Sequence, residues 1–196
     1  MDLGRTSDEQ LISSVRENLK LIINENLRLS EKIDYSQLPA IINSIGSAKT
    51  IFLIAAGRSG FAMRSTAMRL MHLGFQAYFV GDTTTPAIKE GDLLWAASGS
   101  GTTASIVRAA ETAKRVGATV ISIVANESSP LADLSAYKIF MPAAEKEDHG
   151  GSKSKQYAGS LFEQAVLLIN DAIFQAMWEI DGTPAKELWK RHANME

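Results

Sequence analysis

The sequence predicts an α/β protein with a five-stranded parallel sheet in the flavodoxin-like order 2-1-3-4-5 and helices on both faces. Three observations predict it. Short apolar runs alternate with helical segments along the middle of the chain, as in repeated βαβ units. The runs are almost continuously apolar, which is typical of strands buried on both faces. Glycine-rich loops follow the first and third runs, and in this strand order those two strands are neighbours.

Strand-length apolar runs predict the strands, and apolar residues at helical spacing predict the helices between them. The strands are expected at Ile51–Ala55, Gln76–Val80, Leu93–Ala97, Thr119–Val124 and Tyr137–Met141. The helices are expected at Ser59–Leu73, at Thr102–Val116 and, as a short element, near Pro130. Gly74 and Gly117 stand where helix C-caps are expected.

Two helices are predicted before the sheet. A capping box formed by Ser7 and Gln10 begins the first, which runs to about Ser30. A shorter helix follows Ser36, because Pro39 then falls in its first turn.

After the fifth strand the pattern changes. Residues 142–158 are polar and contain a glycine pair, which predicts a mobile loop. A long helix at Ser160–Ile180 and a short one at Pro184–His192 are expected to follow it. The long helix carries an apolar stripe that is predicted to be mostly core: Leu167, Leu168, Ile173, Phe174, Met177, Trp178 and Ile180.

Length and composition favour one globular domain. The chain has 196 residues, of which 45% are hydrophobic and 21% are charged, enough for a full core. We expect a single domain over residues 1–196, with a helical extension at about 7–45 and C-terminal helices at about 160–193. The first and last long helices have wide apolar faces, so part of them is expected to form a homo-oligomer interface.

Several functional classes are excluded by composition. The chain has no cysteine, which excludes disulfides and thiolate chemistry. Its net charge of −2 argues against a nucleic-acid surface, and without an apolar run of about 18 residues no membrane span is expected. The polar N-terminus is unlike a signal peptide, so a cytoplasmic protein is predicted. His72, His149 and His192 lack ligand spacing, so no metal site is predicted.

Two glycine loops carry the functional signal. The first glycine loop is AAGRSG at residues 55–60, and the second is SGSGTT at residues 98–103. Each joins a strand to a helix, where free backbone N–H groups can meet an anion. The second loop adds the hydroxyls of Ser98, Ser100, Thr102 and Thr103. Glycine and serine are also common in plain turns, but two such loops at adjacent strand ends favour a phosphate ester.

The ordered pair AAGRSG and SGSGTT resembles the sugar isomerase (SIS) domain family of phosphosugar isomerases and phosphosugar-binding modules. Within it, the chain is similar to the 6-phospho-3-hexuloisomerases over AAGRSGFAMRSTAMRLMHLGFQAYFVGD, DLLWAASGSGTTASIV and SLFEQA. The resemblance implies interconversion of D-arabino-hex-3-ulose 6-phosphate and fructose 6-phosphate, in the ribulose monophosphate pathway of formaldehyde fixation. It also implies a homotetramer that needs no metal or other cofactor. One departure is Thr102, because many SIS domains have a carboxylate there.

The resemblance assigns the two glycine loops to the substrate. Its phosphate is expected to meet Ser98, Gly99, Ser100, Gly101 and Thr103, and the sugar or its phosphate to meet Gly57, Arg58 and Ser59. Two plainer interpretations stay open. The serines and threonines of the second loop could cap the following helix, and Arg58 could form a surface ion pair.

Glu163 and His72 are the catalytic candidates. From the residues alone, the favoured interpretation of Glu163 is a partner of Ser160 in a helix capping box. The match of SLFEQA reverses this and implies the general base. His72 lies at a predicted helix end, where contact with the helix dipole would explain it. The resemblance implies an acid/base role in ring opening, in its own or a neighbouring subunit's site.

Two other functions remain compatible with the sequence. One is another aldose–ketose isomerase of the same family, such as arabinose 5-phosphate isomerase, since pocket shape decides the sugar. The other is a non-catalytic phosphosugar-binding module. Such modules accompany a DNA-binding domain, and no basic helix-turn-helix region precedes the predicted sheet.

Overall fold

A computed structural model describes residues 7–143 and 154–195 of the chain, so His149 and most of the predicted mobile loop lie outside the described residues. Five parallel strands form one sheet in the order β2-β1-β3-β4-β5, as predicted. They are β1 Ile51–Ala55, β2 Ala77–Phe79, β3 Leu93–Ser98, β4 Thr119–Val124 and β5 Tyr137–Phe140. The predictions for β1 and β4 are confirmed to the residue, while β2 is two residues shorter than expected.

Seven helices surround the sheet in the described ranges: α1 Asp8–Ser30, α2 Leu38–Ser47, α3 Gly57–Leu73, α4 Ala104–Arg115, α5 Pro130–Leu134, α6 Ser160–Asp181 and α7 Ala185–Trp189. All of them were expected, with ends that differ by a few residues. The terminal helix α7 is shorter than its predicted span, and α3 begins at Gly57 rather than Ser59.

Alternate residues of each strand enter two separate apolar layers. Leu53 and Trp95 pack with α2, α3 and α6 on one face of the sheet. Phe52 and Leu94 pack with α4 and α5 on the other face. The parallel register brings Ala55 beside Ala97 at the carboxyl ends of β1 and β3, so the two glycine loops begin side by side.

The helix ends test the capping predictions. The Ser7–Gln10 capping box of α1 is confirmed, and Gly74 is the C-cap of α3 with a φ of 100°. The prediction that α2 follows Ser36 is wrong by one residue, because Gln37 precedes the helix and its side chain makes no capping bond. Asp34 instead accepts a 2.9 Å hydrogen bond from the Ser36 N–H, which forms a local turn before the helix.

The predicted capping box at the start of α6 is wrong. Gly159 is the N-cap, and the N–H of Glu163 donates to its carbonyl oxygen at 3.1 Å. The Ser160 hydroxyl donates to the carbonyl oxygen of Tyr157 at 2.7 Å. Because the helix starts one residue earlier than the box requires, the Glu163 carboxylate makes no bond to its own helix end.

The apolar faces of α1 and α6 are only partly covered. Ile173 and Met177 are buried as predicted, but Leu167, Leu168 and Ile180 are exposed, so the prediction of a core stripe is wrong for those three. In α1 a row of aliphatic side chains is between 39% and 69% exposed: Leu11, Ile12, Val15, Leu19, Ile23 and Leu27. Exposed apolar rows of this kind are typical of interaction surfaces.

Candidate functional site

A cavity of about 380 Å³ opens at the carboxyl edge of the sheet, where β1 and β3 end. Both glycine loops line it, through Ala56, Ser59 and most of residues 98–103. The first turn of α6 closes the opposite side with Gly159, Phe162 and Glu163. The predicted phosphate loop and the predicted base therefore face one cavity.

Three helices begin at this cavity without a side-chain cap. Their N-cap residues are Ala56 for α3, Thr103 for α4 and Gly159 for α6, and all three line the cavity. Serine side chains cap α1 and α5, whereas α2 and α7 also lack a side-chain cap but begin away from the cavity. The first N–H groups of an uncapped helix have no intrahelical partner, and each helix end carries about half a positive charge. This arrangement favours a dianionic phosphate group.

The hydroxyls of the second glycine loop form hydrogen bonds within the loop rather than to a helix end. Ser98 Oγ accepts from the Gly101 N–H at 3.2 Å and lies 3.2 Å from Thr103 Oγ1. Ser100 Oγ accepts from the N–H of Thr102 at 3.3 Å and from its hydroxyl at 3.0 Å. A hydroxyl has one proton to donate, and Ser100 is the acceptor in both of these bonds, so its own proton is not used. Ser100 is therefore free to donate to a ligand oxygen.

Two glycines give the loops their backbone shape. Gly57 and Gly101 have φ values of 60° and 66°, in the left-handed region that favours glycine. A Cβ on Gly101 would also collide with the side chain of Ser129, the N-cap of α5. Both glycines lie beside the cavity-lining residues without lining the cavity, so their part in the site is to hold the loop backbone.

Gly99 lies close to α6. A Cβ built on it would be 3.6 Å from the ring of Phe162. The second glycine loop therefore packs directly against the helix turn that carries Glu163.

Glu163 and Arg58 form an ion pair beside the cavity. The Arg58 guanidinium donates to Glu163 Oε2 at 2.9 Å and to Ser160 Oγ at 3.0 Å. The Glu163 side chain is 11% exposed, whereas that of Arg58 is 61% exposed. Arg58 thus forms the ion pair of the plainer interpretation, with an exposed guanidinium, but its partner is a largely buried carboxylate of the cavity wall.

His72 does not join this cavity in its own chain. It lies near the other end of α3, about 20 Å from Ser59 by the helical rise. It is buried, its ring stacks on His192 at 4.0 Å, and its Nδ1 has no hydrogen-bond partner among the described residues. Burial lowers the pKa of His72, and the positive charges of His192, Arg69 and Arg191 lower it further. The lowered pKa favours the neutral imidazole, which gains little from the helix dipole. Contact with the dipole therefore does not explain His72 well.

His192 itself is exposed, as expected. Its stacking on His72 and on Trp189 was not expected, because it depends on where α7 packs.

Two polar residues at the cavity were absent from the sequence prediction of ligands. Thr102 lines it, although the prediction chose the other three hydroxyls of its loop. Asn126 lines it from the turn after β4. Because β4 neighbours β3, a polar residue at that strand end could have been assigned to the same edge of the sheet.

Within residues 7–143 and 154–195, no three His, Asp or Glu side chains come together in a group that could hold a metal ion. No helix there is both long and apolar enough to cross a membrane.

The chain is similar to known proteins over most of its length. The SIS domain family matches residues 44–168. A 3-hexulose-6-phosphate isomerase from Mycobacterium gastri is 47% identical over 182 residues, covering 93% of this chain and 92% of that protein. The enzyme of the same name from Bacillus subtilis is 38% identical over 176 residues, covering 89% and 95% of the two chains.

A solved structure agrees with these relatives. It is that of a hypothetical protein from Methanococcus jannaschii, from which a function as 3-hexulose-6-phosphate isomerase was inferred. It superimposes with a TM-score of 0.79 at 33% identity and covers 92% of this chain and 99% of that one.

Proposed function

The chain belongs to the SIS domain family, and from this premise we propose that it is a 3-hexulose-6-phosphate isomerase. The reaction interconverts D-arabino-hex-3-ulose 6-phosphate and fructose 6-phosphate. One observation carries the proposal beyond the family: a carboxylate, Glu163, lines the same cavity as three uncapped helix ends. A phosphate held by the helix ends would present its sugar carbons to that carboxylate.

The phosphate is assigned to the second glycine loop. The N–H groups at the start of α4 and the free hydroxyl proton of Ser100 are its donors, with Ser98 and Thr103 beside them. Hydrogen bonds to a charged group contribute about 1.5–3 kcal/mol each. The loop therefore supplies binding energy far from the reacting carbons, which fixes the sugar for proton transfer.

Glu163 is assigned as the general base. With the sugar open, the carboxylate removes the proton from C2 of the 3-ulose, and a C2=C3 double bond forms as the C3 carbonyl oxygen takes the negative charge. The protonated Glu163 then returns the proton to C3. As the C2 carbonyl forms, the O2 proton passes to O3, which ends as a hydroxyl, and Glu163 is again a carboxylate. One carboxylate can serve both carbons from the same face of the enediolate.

Arg58 and the first glycine loop are assigned to the sugar. The Arg58 guanidinium bonds to Glu163, and its large exposure leaves room for it to turn toward a substrate oxygen. A guanidinium and helix N–H groups there would stabilise the negative charge of the enediolate. Ser59, which lines the cavity, is assigned to the same part of the substrate, and Gly57 is assigned to the shape of the loop that places it there.

His72 is assigned to ring opening in the site of a neighbouring subunit. Its distance from the cavity of its own chain excludes a direct role there. The arrangement is testable by mixing Glu163→Gln and His72→Gln subunits. If each site uses Glu163 of one chain and His72 of another, mixed oligomers recover activity that neither variant has alone.

We infer a homo-oligomer, in the form of a tetramer. The exposed aliphatic row of α1 and the exposed leucines of α6 are the surfaces that favour it. A step in the ribulose monophosphate pathway and a cytoplasmic location remain predictions from the sequence. Sedimentation of the purified protein measures the assembly.

The substrate assignment is tested by an isomerisation assay across hexulose, pentose and heptose phosphates. We expect conversion of D-arabino-hex-3-ulose 6-phosphate to fructose 6-phosphate and no comparable turnover of arabinose 5-phosphate. Conversion of the pentose phosphate without the hexulose phosphate would assign the chain to another isomerase of the family. Binding of phosphosugars without turnover of any would make it a binding module.

A further inference from the structure

We propose that Glu25 of α1 is a positioning residue for Glu163, because its buried carboxylate fixes the segment that leads into α6. The inference rests on the proposed function, since it concerns how the base of that reaction is held. Glu25 does not line the cavity and would touch no substrate atom.

Glu25 is the centre of a hydrogen-bonded clamp. It is 5% exposed and accepts three hydrogen bonds from the segment before α6. The donors are the Ser154 hydroxyl at 2.6 Å, the Lys155 N–H at 2.9 Å and Gln156 Nε2 at 3.0 Å. A buried carboxylate without partners would be strongly unfavourable, so the three donors and the charge hold one another in place.

The charge state of Glu25 agrees with this role. Burial by itself would raise the pKa of its carboxyl group. The Lys155 N–H, the side chains of Ser154 and Gln156 and the positive charge of Arg28 lower that pKa, and the net result lies below the usual 4.5. Glu25 is therefore ionised at neutral pH and acts only as an acceptor.

A relay of amides connects this charge to the turn that carries Glu163. Gln156 gives its NH₂ group to Glu25, which leaves its carbonyl oxygen to accept from Gln164 Nε2 at 2.7 Å. The carbonyl oxygen of Gln164 then accepts from Asn26 Nδ2 at 2.8 Å. The carboxylate thus sets the direction of every amide in the relay, which returns to α1 at the residue next to Glu25.

The relay passes through Gln164, which is one residue from the general base. Gln164 adjoins Glu163 in the first turn of α6, and that turn forms the cavity wall. The second glycine loop has no hydrogen bond to the clamp or the relay among the described residues. A misplacement of about 1 Å at a reacting group can lower a rate by about 10²-fold. Loss of the clamp should therefore reduce kcat and leave phosphate binding nearly intact.

The experiment compares Glu25→Gln with Glu31→Gln, an exposed carboxylate that follows the same helix end. In Glu25→Gln, an NH₂ group replaces one carboxylate oxygen and faces either the Lys155 N–H or the donors of Ser154 and Gln156, so at least one donor loses its acceptor. We expect kcat for isomerisation to fall about 10–100-fold, with KM and inhibition by inorganic phosphate within about threefold. Amide hydrogen exchange of the peptide around 154–163 should become faster. Glu31→Gln should change neither kcat nor the hydrogen exchange of this peptide.

Two further variants keep the test decisive. In Glu25→Gln/Gln156→Glu the carboxylate is moved from position 25 to position 156. There it can accept from the amide NH₂ groups of the new glutamine and of Gln164, so kcat should partly recover. Gln164→Leu breaks the relay but leaves Glu25 and its three donors in place. It therefore tests the positioning role even if Glu25→Gln fails to fold. Faster exchange with unchanged kcat in these variants would overturn the positioning role alone. A wild-type protein without isomerase activity would overturn the proposed function, while the exchange data would still report on the clamp.

Discussion

The guanidinium of Arg58 donates a 2.9 Å hydrogen bond to the carboxylate of Glu163, from the first turn of α3 to the first turn of α6. The same guanidinium nitrogen also donates to Ser160 Oγ at 3.0 Å, and Glu163 lines the cavity that the glycine loops share. A capping glutamate would accept from the Ser160 N–H, but that N–H donates to the carbonyl oxygen of Tyr157 at 3.3 Å, so the carboxylate of Glu163 is not used as a cap.

The hydroxyl of Ser100 should donate a hydrogen bond to the phosphate and strengthen its binding. In Ser100→Ala, binding of substrate and of inorganic phosphate should weaken about 10–150-fold, the range for one bond to a charged group. The inhibition constant of phosphate in the isomerase assay measures it. Ser105→Ala, in the first turn of α4 but outside the cavity, is the control. Normal phosphate inhibition in Ser100→Ala would remove Ser100 from the site.

The second glycine loop should tolerate no side chain at Gly101. In Gly101→Ala, the left-handed backbone alone should cost about 1–3 kcal/mol, and collision with Ser129 should disturb the start of α5. Gly46→Ala is the matched control, since Gly46 lies in α2 with open space around it and should gain about 0.5–1 kcal/mol. Urea unfolding at one protein concentration compares them. Equal stability of the two variants would contradict the loop geometry.

Buried His72 should make folding weaker in mild acid. Its pKa in the folded state lies below 6.5, first through burial and then through the positive charges of His192, Arg69 and Arg191. As the pH falls, His72 is protonated in the unfolded chain before it is protonated in the folded chain. The free energy of unfolding therefore decreases as the pH drops below the ordinary histidine pKa, until the pKa of the folded state is reached. The melting temperature of His72→Gln should fall less between about pH 7.5 and about pH 5.5 than that of the wild type. Identical slopes would exclude His72 as a cause.

Proton transfer by a carboxylate should not depend on a metal ion. Activity should survive exhaustive treatment with a chelator, measured against an untreated sample of the same protein. Loss of activity that only a divalent ion restores would contradict a mechanism carried by Glu163 alone.

Local patterns were sufficient to predict the sheet and the meeting of the two glycine loops. The apolar runs at Ile51–Ala55 and Thr119–Val124 are of strand length and buried on both faces, and a glycine lies near one end of each, Gly57 and Gly117, so their extent was clear. Strand order then brought the loops after β1 and β3 together, as Ala55 beside Ala97 confirms.

Contacts between distant parts of the chain could not be predicted in this way. The spacing of Ser160 and Glu163 fits a capping box, and nothing local indicates that Arg58 binds the carboxylate instead. The stripe on α6 identifies Leu168 as apolar but does not tell which surface covers it. The clamp around Glu25 likewise joins α1 to a segment near the other end of the chain.

The most direct test of the account is the activity of Glu163→Gln. Glutamine keeps the shape and can still bond to Arg58, but it cannot take a proton. We expect kcat to fall about 10²–10⁴-fold, with substrate binding and melting temperature little changed, and exchange of the C2 proton with solvent deuterium to disappear in parallel. A Glu163→Gln protein that isomerises the substrate within a fewfold of the wild-type rate, with exchange at C2 intact, would contradict the assignment of Glu163 as the base.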